Sequence, residues 1–540
     1  MARWWLIPVL ALFLLATLFQ LDLPGLHYDE AFEVVPAMQL LRHQPVQAFR
    51  DSTITLFGTQ FPLTTQDYIG ALNAYFSLPF LWLAGISVAA VRLYAVTIGL
   101  ITVLLAAGFT ADLTHNRAAG VVAAALLAVN PTFVFWTRQG IFVTAITAAI
   151  GIAAAWSWLR WHRTRRYRWA VAGAFLFGLG IYAKLLFLWL IAALFGAYLL
   201  ALWARRNLFS ILKTLRRENP IARAAALLIA GAVGAFPLIP YNLQTGGTFK
   251  NIGQNAATSY YGVDNTAVLQ NLATRFGELL TLLDGGHFWY LGGVFRNPTL
   301  PAVWAMALLA AVWLAARRKN PRALVPFTVI LLVTAESIVT VSALWITHFA
   351  VIMAFPAIAL AVTGAELWRE LRPNRAVGIA LGLMLAAVLL SDGLTTARYH
   401  RALTVSGGLG DHSDAVYDMA DWLAAHAADR PVVAMDWGLS APVTFLTAGA
   451  VTPVEVFGYD WGDVSRFDAV ISAHLQPHGA IFLWRAPDIV IFDRSPAFKS
   501  LYRPHNLEED ILAAFYDRSG KPLYGATELV PVGTAKNKPK

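Results

Sequence analysis

The feature that most constrains this chain is a succession of apolar stretches, with arginine-rich loops at alternate junctions between them. Many of these stretches approach the roughly 20 residues that a helix needs to cross a bilayer. Of the 540 residues, 58% are hydrophobic and only 14% are charged, which is more apolar and less charged than a soluble domain. The sequence therefore predicts a polytopic α-helical membrane protein.

Eleven predicted spans account for the apolar stretches, near residues 4–21, 88–111, 117–134, 141–159, 169–183, 185–203, 223–241, 300–316, 323–343, 348–366 and 376–392. Every second loop is basic, with Arg117; Arg160, Arg163, Arg165, Arg166 and Arg168; Arg205, Arg206, Lys213, Arg216 and Arg217; Arg317, Arg318 and Lys319; and Arg369, Arg372 and Arg375. Cytoplasmic loops are enriched in Lys and Arg. We therefore expect a cytoplasmic N-terminus and, after eleven spans, an extracytoplasmic C-terminal region in a plasma or inner membrane protein.

The N-terminal stretch resembles a signal peptide, because Arg3 precedes an apolar run. It has no convincing small-x-small cleavage pattern before Pro24, so we interpret it as a retained first span.

The net charge of +9 does not indicate nucleic-acid binding. From Gly393 to the end there are 13 Lys and Arg against 17 Asp and Glu, so the excess of positive charge lies before that point, much of it in the short loops. This distribution is typical of membrane topology. The absence of cysteine excludes disulfides, thiolate chemistry and zinc-thiolate sites.

Two domains are predicted, a membrane domain over residues 1–392 and a small extracytoplasmic α/β domain over 393–540. Two long outer loops, 22–87 and 242–299, interrupt the membrane domain. In the first, we expect the helical run from 67 to 85 to lie along the membrane surface, because a further span there would reverse every later loop. The second is rich in Gly, Asn and aromatic residues, as is typical of a loop that covers a site.

The α/β prediction for the C-terminal domain depends on three segments. A helical pattern runs from 413 to 427, and the short apolar runs 432–435 and 489–492 are typical of buried strands. The last residues, which include three lysines, are predicted to be disordered.

A cluster of acids follows the first span. Asp29, Glu30 and Glu33 lie within five residues, and Asp29 and Glu33 are four residues apart, so a helix places them on one face. Carboxylates beside a membrane are costly unless they are paired with cations or have a function. We expect this cluster to have a function.

The remaining ionisable residues in or near the spans collect on the same predicted outer side, namely Asp67, Arg92, Arg138, Lys184, Glu336 and His348. Cations and acids gathered at one interface suit a substrate with an anionic phosphate and a lipid tail. Each residue also has a structural interpretation. Arg92 can extend to lipid head groups, Lys184 and Arg138 can mark helix ends, and Asp67 can cap a helix. His348 can simply pack, and Glu336 can pair with Lys184 or Arg138.

These residues resemble a known family. Asp29-Glu30 shortly after a first span, and then Gly85-x-Ser87-x4-Arg92, resemble the integral-membrane glycosyltransferases of the GT-C fold. Family 39, which includes protein O-mannosyltransferases and lipid A aminoarabinose transferases, is the branch that they resemble most. The resemblance extends over roughly residues 1–400 and includes Asn130-Pro131 before Arg138, Gly180-x3-Lys184, and His348 before Pro356.

The resemblance implies transfer of one sugar from a polyprenyl-phosphate donor to a hydroxyl of a glycan, lipid or protein acceptor. Asp29 would be the general base, with Glu30 and Asp67 as further catalytic acids. Lys184, Arg138, Arg92 and His348 would bind the donor phosphate, and Glu33, Tyr68 and Glu336 would support them. The chemistry agrees, because a departing phosphate needs fixed positive charge and the attacking hydroxyl needs a base. Attack from the opposite face would invert the anomeric carbon.

The sequence also departs from the family. Several relatives carry a second acid in the turn at 136–140, where this chain has none, and the acidic-basic pair of aminoarabinose transferases is matched only by Asp67-Tyr68. The second difference argues against an aminoarabinose transferase. Asp29, Glu30 and Asp67 could together hold Mg²⁺ or Mn²⁺ through oxygen ligands, although no spacing requires a metal.

Two other functions stay open. An oligosaccharyltransferase would share the broad fold, but Met435-Asp436-Trp437-Gly438 matches its Trp-Trp-Asp-Tyr-Gly signature only faintly. A lipid flippase or transporter would favour charges at the membrane midplane rather than at one interface.

Overall fold

The computed structural model describes residues 4–139, 142–204, 220–318, 321–372, 374–427, 429–460 and 462–536. The helices of the membrane domain are α1 (Leu6–Leu18), α2 (Tyr28–Leu41), α3 (Leu72–Ala84), α4 (Val88–Thr114), α5 (Arg117–Val129), α6 (Pro131–Trp136), α7 (Phe142–Thr164), α8 (Tyr167–Ala183), α9 (Phe187–Ala204), α10 (Pro220–Gly234), α11 (Leu238–Thr245), α12 (Gly247–Gln254), α13 (Val268–Asp284), α14 (Thr299–Arg318), α15 (Leu324–Glu336), α16 (Phe355–Leu371) and α17 (Arg375–Ser406). Short 3₁₀ turns join several of them, including Ile346–Ile352.

Within the described ranges, four helices are long and apolar enough to cross a membrane, namely α4, α7, α14 and α17. Two bent pairs bring the number to six if each pair forms one span: α10 with α11, bent by 69°, and the turn at Ile346–Ile352 with α16, bent by 44°. A multi-pass helical membrane domain is therefore confirmed. The count of eleven spans stays a prediction, because several of the remaining predicted spans are helices shorter than a bilayer crossing requires.

Small residues bring the helices of the membrane domain close together. A side chain at Gly178 of α8 would collide with the backbone oxygen of Gly231 in α10, at 1.9 Å from the position of its Cβ. Contact of this kind between glycines lets two helix backbones pack directly, which is the usual source of affinity between helices in lipid.

The first outer loop contains α2, α3 and two small hairpins, formed by β1 (Thr53–Leu56) with β2 (Thr59–Pro62) and by β3 (Thr64–Gln66) with β4 (Ile69–Gly70). The predicted surface helix begins at Leu72 rather than at Asp67, because residues 67 and 68 form the turn between β3 and β4.

The C-terminal region contains the expected mixture of helices and strands. Its helices are α18 (Ala415–His426), α19 (Ser440–Leu446), α20 (Ser465–Ile471) and α21 (Ser495–Tyr502), and its strands are β5 (Val432–Ala434), β6 (Val454–Glu455), β7 (Ile481–Arg485), β8 (Leu507–Tyr516) and β9 (Pro522–Pro531). The sheet order is β6-β5-β7-β9-β8, parallel across the first three strands and antiparallel across the last three.

One predicted strand is wrong. The apolar run 489–492 forms a loop, because the backbone N–H groups of Ile491 and Phe492 donate to the Asp436 carboxylate, at 2.8 Å each, instead of to a neighbouring strand. The preceding strand of the sheet is β7, at Ile481–Arg485.

The C-terminal domain follows α17 directly, and its helix α19 packs against the first outer loop. Helix α17 continues beyond residue 392, where the membrane domain was predicted to end, as far as Ser406. Ala441 and Phe445 of α19 then join the apolar cluster that α2, α3 and α4 form. The C-terminal domain is thus held close to the acid cluster at the start of α2.

Candidate functional site

Asp29 lies in the first turn of α2, where its carboxylate is stabilised by the positive end of the helix dipole. His27 caps this helix, because its Nδ1 accepts a hydrogen bond of 3.2 Å from the Asp29 backbone N–H. The Asp29 side chain is half-buried. Within the part of the chain that the structure describes, its carboxylate has no hydrogen-bond or ion-pair partner, so it is available to accept a proton.

Lys184 lies in the turn between α8 and α9. Its backbone forms an antiparallel bridge with Ile69 of β4, and the N–H of Leu185 donates to the Tyr68 carbonyl at 2.9 Å. The side chain is buried, and its Nζ donates to Thr144 Oγ1 at 3.0 Å. The first outer loop and the α8–α9 turn are therefore joined at this lysine.

The charges around Lys184 are negative. Burial lowers the pKa of the Lys184 ammonium to about 8, while the nearby Asp29 and Glu33 carboxylates act in the opposite direction. The two acids thus approach one lysine, as their spacing of four residues on a helix predicts.

Glu33 is buried and fully hydrogen-bonded. Its carboxylate accepts from Thr65 Oγ1 at 2.6 Å and from Asn73 Nδ2 at 3.2 Å, and Tyr94 donates in turn to the Asn73 carbonyl oxygen at 2.8 Å. Burial raises the pKa of Glu33 to about 7, against the opposing effect of these hydrogen bonds. Glu33 is therefore held in place and only weakly acidic.

Glu30 points away from Asp29 and forms a buried ion pair with Arg92 of α4. The guanidinium donates to both carboxylate oxygens, at 2.8 and 3.0 Å, and also to the Leu21 carbonyl at 2.9 Å. Neither side chain is more than 1% exposed. This pair fixes the start of the first outer loop to α4.

Asp67 is likewise paired. Arg50 donates to both of its carboxylate oxygens at 2.8 Å, and the Tyr241 hydroxyl donates to one of them. The Asp67 backbone carbonyl accepts from Thr248 Oγ1 at 2.9 Å. The residue therefore ties the two outer loops together.

Arg138 is buried at the carboxyl end of α1. Its Nε donates to the Thr17 carbonyl at 3.1 Å and its Nη2 to the Phe19 carbonyl at 2.7 Å. These are carbonyl groups that a helix end leaves without partners. The guanidinium therefore caps α1, which agrees with the helix-end interpretation, and its role in binding the donor phosphate stays a prediction.

His348 lies near Lys184, which is one of two cations that act on it electrostatically. The second cation is Arg275 of α13, whose Nη2 is 3.2 Å from His348 Nδ1. Ser342 Oγ is 3.3 Å from His348 Nε2. Sequence reasoning missed Arg275, because it lies in an outer loop helix without any motif around it.

Glu336, at the end of α15, does not join this group. It forms no ion pair with Lys184 or Arg138, and its buried Oε2 has no hydrogen-bond partner among the described residues. The interpretation of Glu336 as their structural partner is therefore not supported.

Tyrosines complete the surroundings of Asp29. Burial, together with the Tyr261, Asp29 and Asp67 side chains, raises the pKa of the Tyr68 phenol above its usual range, so Tyr68 stays a neutral donor. Tyr261 of the second outer loop lies near both residues and packs edge-on against Trp345, with 4.9 Å between ring centroids. Tyr261 was also missed, and only the aromatic richness of its loop pointed to it.

The carboxylates predicted to hold a metal do not converge. Glu30 and Asp67 are each paired with an arginine, which removes the negative charge that attracts a divalent cation. Of the three predicted ligands, only Asp29 has a carboxylate without such a partner in the described chain.

A second group of possible ligands, His27, Asp411 and His412, lies where the C-terminal domain meets α2. Because Nδ1 of His27 accepts from a backbone N–H, its Nε2 carries the proton that is donated to Asp411 at 3.3 Å. Arg485 is 3.6 Å from the same carboxylate oxygen. His27 and Asp411 therefore form a hydrogen-bonded contact between α2 and the C-terminal domain.

Comparison with known proteins gives matches consistent with this site. The model of the family described as dolichyl-phosphate-mannose-protein mannosyltransferase matches residues 72–217, a stretch that contains Arg92, Arg138 and Lys184 but not Asp29. Among curated protein sequences, none matches this chain.

Two solved structures share the fold over nearly their whole length. The crystal structure of ArnT from Cupriavidus metallidurans in the apo state matches with a TM-score of 0.61 at 13% identity, covering 97% of this chain and 98% of that one. The structure of the same protein bound to undecaprenyl phosphate matches with a TM-score of 0.59, at the same identity and coverage. These matches confirm the resemblance to family 39 and to the GT-C fold.

Proposed function

We propose that this chain is a glycosyltransferase that moves a single sugar from a polyprenyl-phosphate carrier to an acceptor hydroxyl on the outer side of the membrane. The main observation that supports the proposal is the proximity of Asp29 and Lys184. A carboxylate without a partner in the described chain lies within electrostatic reach of a buried lysine, at the point where the first outer loop meets the helical bundle.

The reaction uses both groups at once. The acceptor oxygen forms a bond to the anomeric carbon, and Asp29 takes the proton from that hydroxyl. The bond between the anomeric carbon and the phosphate oxygen breaks, and the electron pair leaves with the lipid phosphate. The ammonium of Lys184 stabilises the negative charge that develops on this phosphate. Attack from the face opposite the leaving group inverts the anomeric carbon.

The other predicted residues act around this pair. Arg275, whose guanidinium contacts His348, adds a second positive charge near Lys184 for the phosphate, and His348 offers its imidazole as a hydrogen-bonding group. Glu33 and Tyr68 border the Asp29 carboxylate. Glu30, Asp67, Arg92 and Arg138 contribute by positioning, since their contacts fix the loops that carry the reacting groups.

The choice of donor is supported by a protein of the same fold. ArnT has been crystallised with undecaprenyl phosphate, which is a lipid phosphate of the proposed class.

The test is turnover of a defined donor. The purified protein, reconstituted in vesicles, is incubated with a panel of radiolabelled polyprenyl-phosphate sugars and with glycan, lipid and peptide acceptors. We expect one sugar to be released from its lipid and recovered on an acceptor. Movement of the intact donor across the vesicle membrane without its consumption would instead show a flippase, and transfer of a whole glycan would show an oligosaccharyltransferase.

A further inference from the structure

The β1–β2 hairpin of the first outer loop exposes apolar side chains at its tip. Leu56 ends β1, and Phe57 and Gly58 form the turn to β2. Both turn residues have positive φ, 51° and 79°, a conformation that favours Asn, Asp or Gly at the first position. Phe57 is nevertheless the residue there, and its ring is fully exposed. The tip therefore presents an aromatic ring where the turn favours a small polar residue.

The hairpin and its flanks are also uncharged. The 15 residues between Asp51 and Asp67 include no Asp, Glu, Lys, Arg or His. A two-stranded hairpin is only marginally stable in water, and exposed strand edges are usually protected by charged side chains. The composition of this hairpin therefore fits contact with lipid better than exposure to bulk water.

An apolar stripe extends from a membrane span towards this hairpin. Helices α10 and α11 form a bent pair that is apolar enough to cross the membrane as one span. Large apolar side chains are exposed along α10, at the bend and along α11, namely Leu228, Val233, Phe236, Ile239 and Leu243. The apolar surface of the span thus continues as far as the last turn of α11.

Helix α12 follows α11 directly and adds a second apolar face. Phe249 and Ile252 are exposed and three residues apart, so they share one face of this helix. Between them, Lys250 donates from its ammonium to the carbonyl of Thr245, the last residue of α11, at 2.8 Å. Such a separation of apolar and polar side chains is typical of a helix that lies in the plane of a membrane interface.

Two hydrogen bonds hold the hairpin beside these helices. Gln244, which follows Leu243 in α11, donates from Nε2 to the Thr53 carbonyl of β1 at 3.1 Å. The hydroxyl of Tyr75 in α3 donates to the Pro62 carbonyl at the end of β2. Each strand is therefore fixed to a helix at its base, and the tip projects from a defined position next to α11.

We propose that the hairpin tip and the apolar face of α12 insert into the head-group region of the bilayer, with Leu56, Phe57 and Phe249 as the anchoring side chains. Continuity with the stripe along α10 and α11 selects the bilayer as the occupant, because a soluble partner would cover the hairpin alone. The insertion is shallow, since the unpaired backbone groups of a two-stranded hairpin cannot enter the hydrocarbon core. This contact holds the first outer loop at the level of the lipid head groups.

The test uses the absence of native cysteine, because a single introduced cysteine then carries a spin label at one known position. Phe57→Cys, Phe249→Cys and Val532→Cys are labelled, and the full-length protein is reconstituted in vesicles of phosphatidylethanolamine and phosphatidylglycerol. Electron paramagnetic resonance measures collisions of each label with oxygen, which concentrates in lipid, and with a water-soluble nickel chelate. We expect a severalfold higher ratio of oxygen to nickel collisions at positions 57 and 249 than at position 532, an exposed apolar position of the C-terminal domain.

A second variant tests whether the apolar side chains cause the insertion. A label at Thr59→Cys, an exposed position of β2, reports on the tip without replacing its apolar residues. Its collision ratio should fall to the value at position 532 in Leu56→Ser/Phe57→Ser, and should not change in the matched control Val532→Ser.

Equal collision ratios at positions 57 and 532 would overturn the proposal, and so would an unchanged ratio at position 59 in the double variant. Dipolar broadening of the label at position 57 that disappears on dilution with unlabelled protein would show contact with a second copy of the chain, and would also overturn it.

Discussion

The backbone of Lys184 pairs with the backbone of Ile69 in an antiparallel bridge, so the α8–α9 turn and the hairpin of the first outer loop form one hydrogen-bonded unit. The pairing explains how a lysine between two membrane helices approaches carboxylates that lie about 150 residues earlier in the chain. Any movement of the hairpin carries the lysine backbone with it.

Removing the base should remove the chemistry. Asp29→Asn keeps the size of the side chain but cannot accept the proton, so we expect kcat to fall by about 10²–10⁴-fold while donor binding persists. Turnover of the labelled donor measures the first quantity and donor-lipid binding the second. Asp22→Asn, at an exposed acid seven residues earlier, is the matched control. Full activity in Asp29→Asn would refute the assignment.

Removing the ammonium should weaken the hold on the lipid phosphate. We expect Lys184→Ala to raise the KM for the donor by about tenfold or more, since a charge-assisted contact is lost. Lys250→Ala removes an exposed lysine from the second outer loop and should leave the donor KM unchanged. An unchanged KM in Lys184→Ala would remove Lys184 from the site.

The buried position of Lys184 also predicts a pH dependence. Its pKa falls from 10.5 to about 8, so the ammonium loses its proton as the pH rises through about 8, and donor binding should weaken there. Stability changes in the opposite direction. Between about pH 8 and 10.5 the unfolded lysine binds more protons than the folded one, so this group's contribution to stability rises with pH.

The donor KM measured from about pH 6.5 to 9.5 tests this dependence, and a KM that stays constant through pH 8 would contradict it. Lys184→Met, which cannot titrate, should abolish the upper limb of the profile.

Breaking the buried pair of Glu30 and Arg92 by changing only one partner should strongly destabilise the protein. Glu30→Gln leaves an uncompensated guanidinium in a dry site, which costs about 3–5 kcal/mol in comparable pairs. We expect a large decrease in melting temperature, and a smaller one when both residues are replaced by apolar side chains, as in Glu30→Leu/Arg92→Met. Equal destabilisation in the two proteins would show that the charge pair itself is the stabilising element.

The contact between His27 and Asp411 should hold the C-terminal domain against α2. We expect Asp411→Asn to speed backbone hydrogen exchange at the start of α2 and in residues 410–413, because the hydrogen bond to His27 loses its charge. Asp418→Asn, at an exposed acid on α18, is the control. Exchange that is identical in the two variants would show that the apolar contacts of α19 suffice.

The sequence predicted the helical membrane domain, the C-terminal sheet and the acids beside Lys184, because hydrophobic periodicity and the cost of charge near lipid are local properties. It could not predict how those charges pair. Arg92 is 62 residues from Glu30, and Arg138 is 121 residues from the carbonyl group of Thr17. Which residues pair across such long sequence separations is determined by how the helices pack. The same is true of His27 and Asp411, which are 384 residues apart.

The strand predicted at 489–492 shows that a local pattern can also be misread. Its apolar residues fit a buried strand, but the backbone N–H groups of Ile491 and Phe492 bond to the Asp436 side chain. A run of four apolar residues does not specify which acceptor its backbone will find.

Because α17 is one continuous helix, the direction in which the C-terminal domain faces depends on the number of residues in that helix. The helix runs for 32 residues without interruption and ends shortly before His412. One residue inserted near its end would rotate everything downstream by about 100°, whereas an insertion of seven would restore the original facing within about 20°. The distance between His27 and His412 therefore depends on the rotation accumulated along α17 as well as on the fold of each domain.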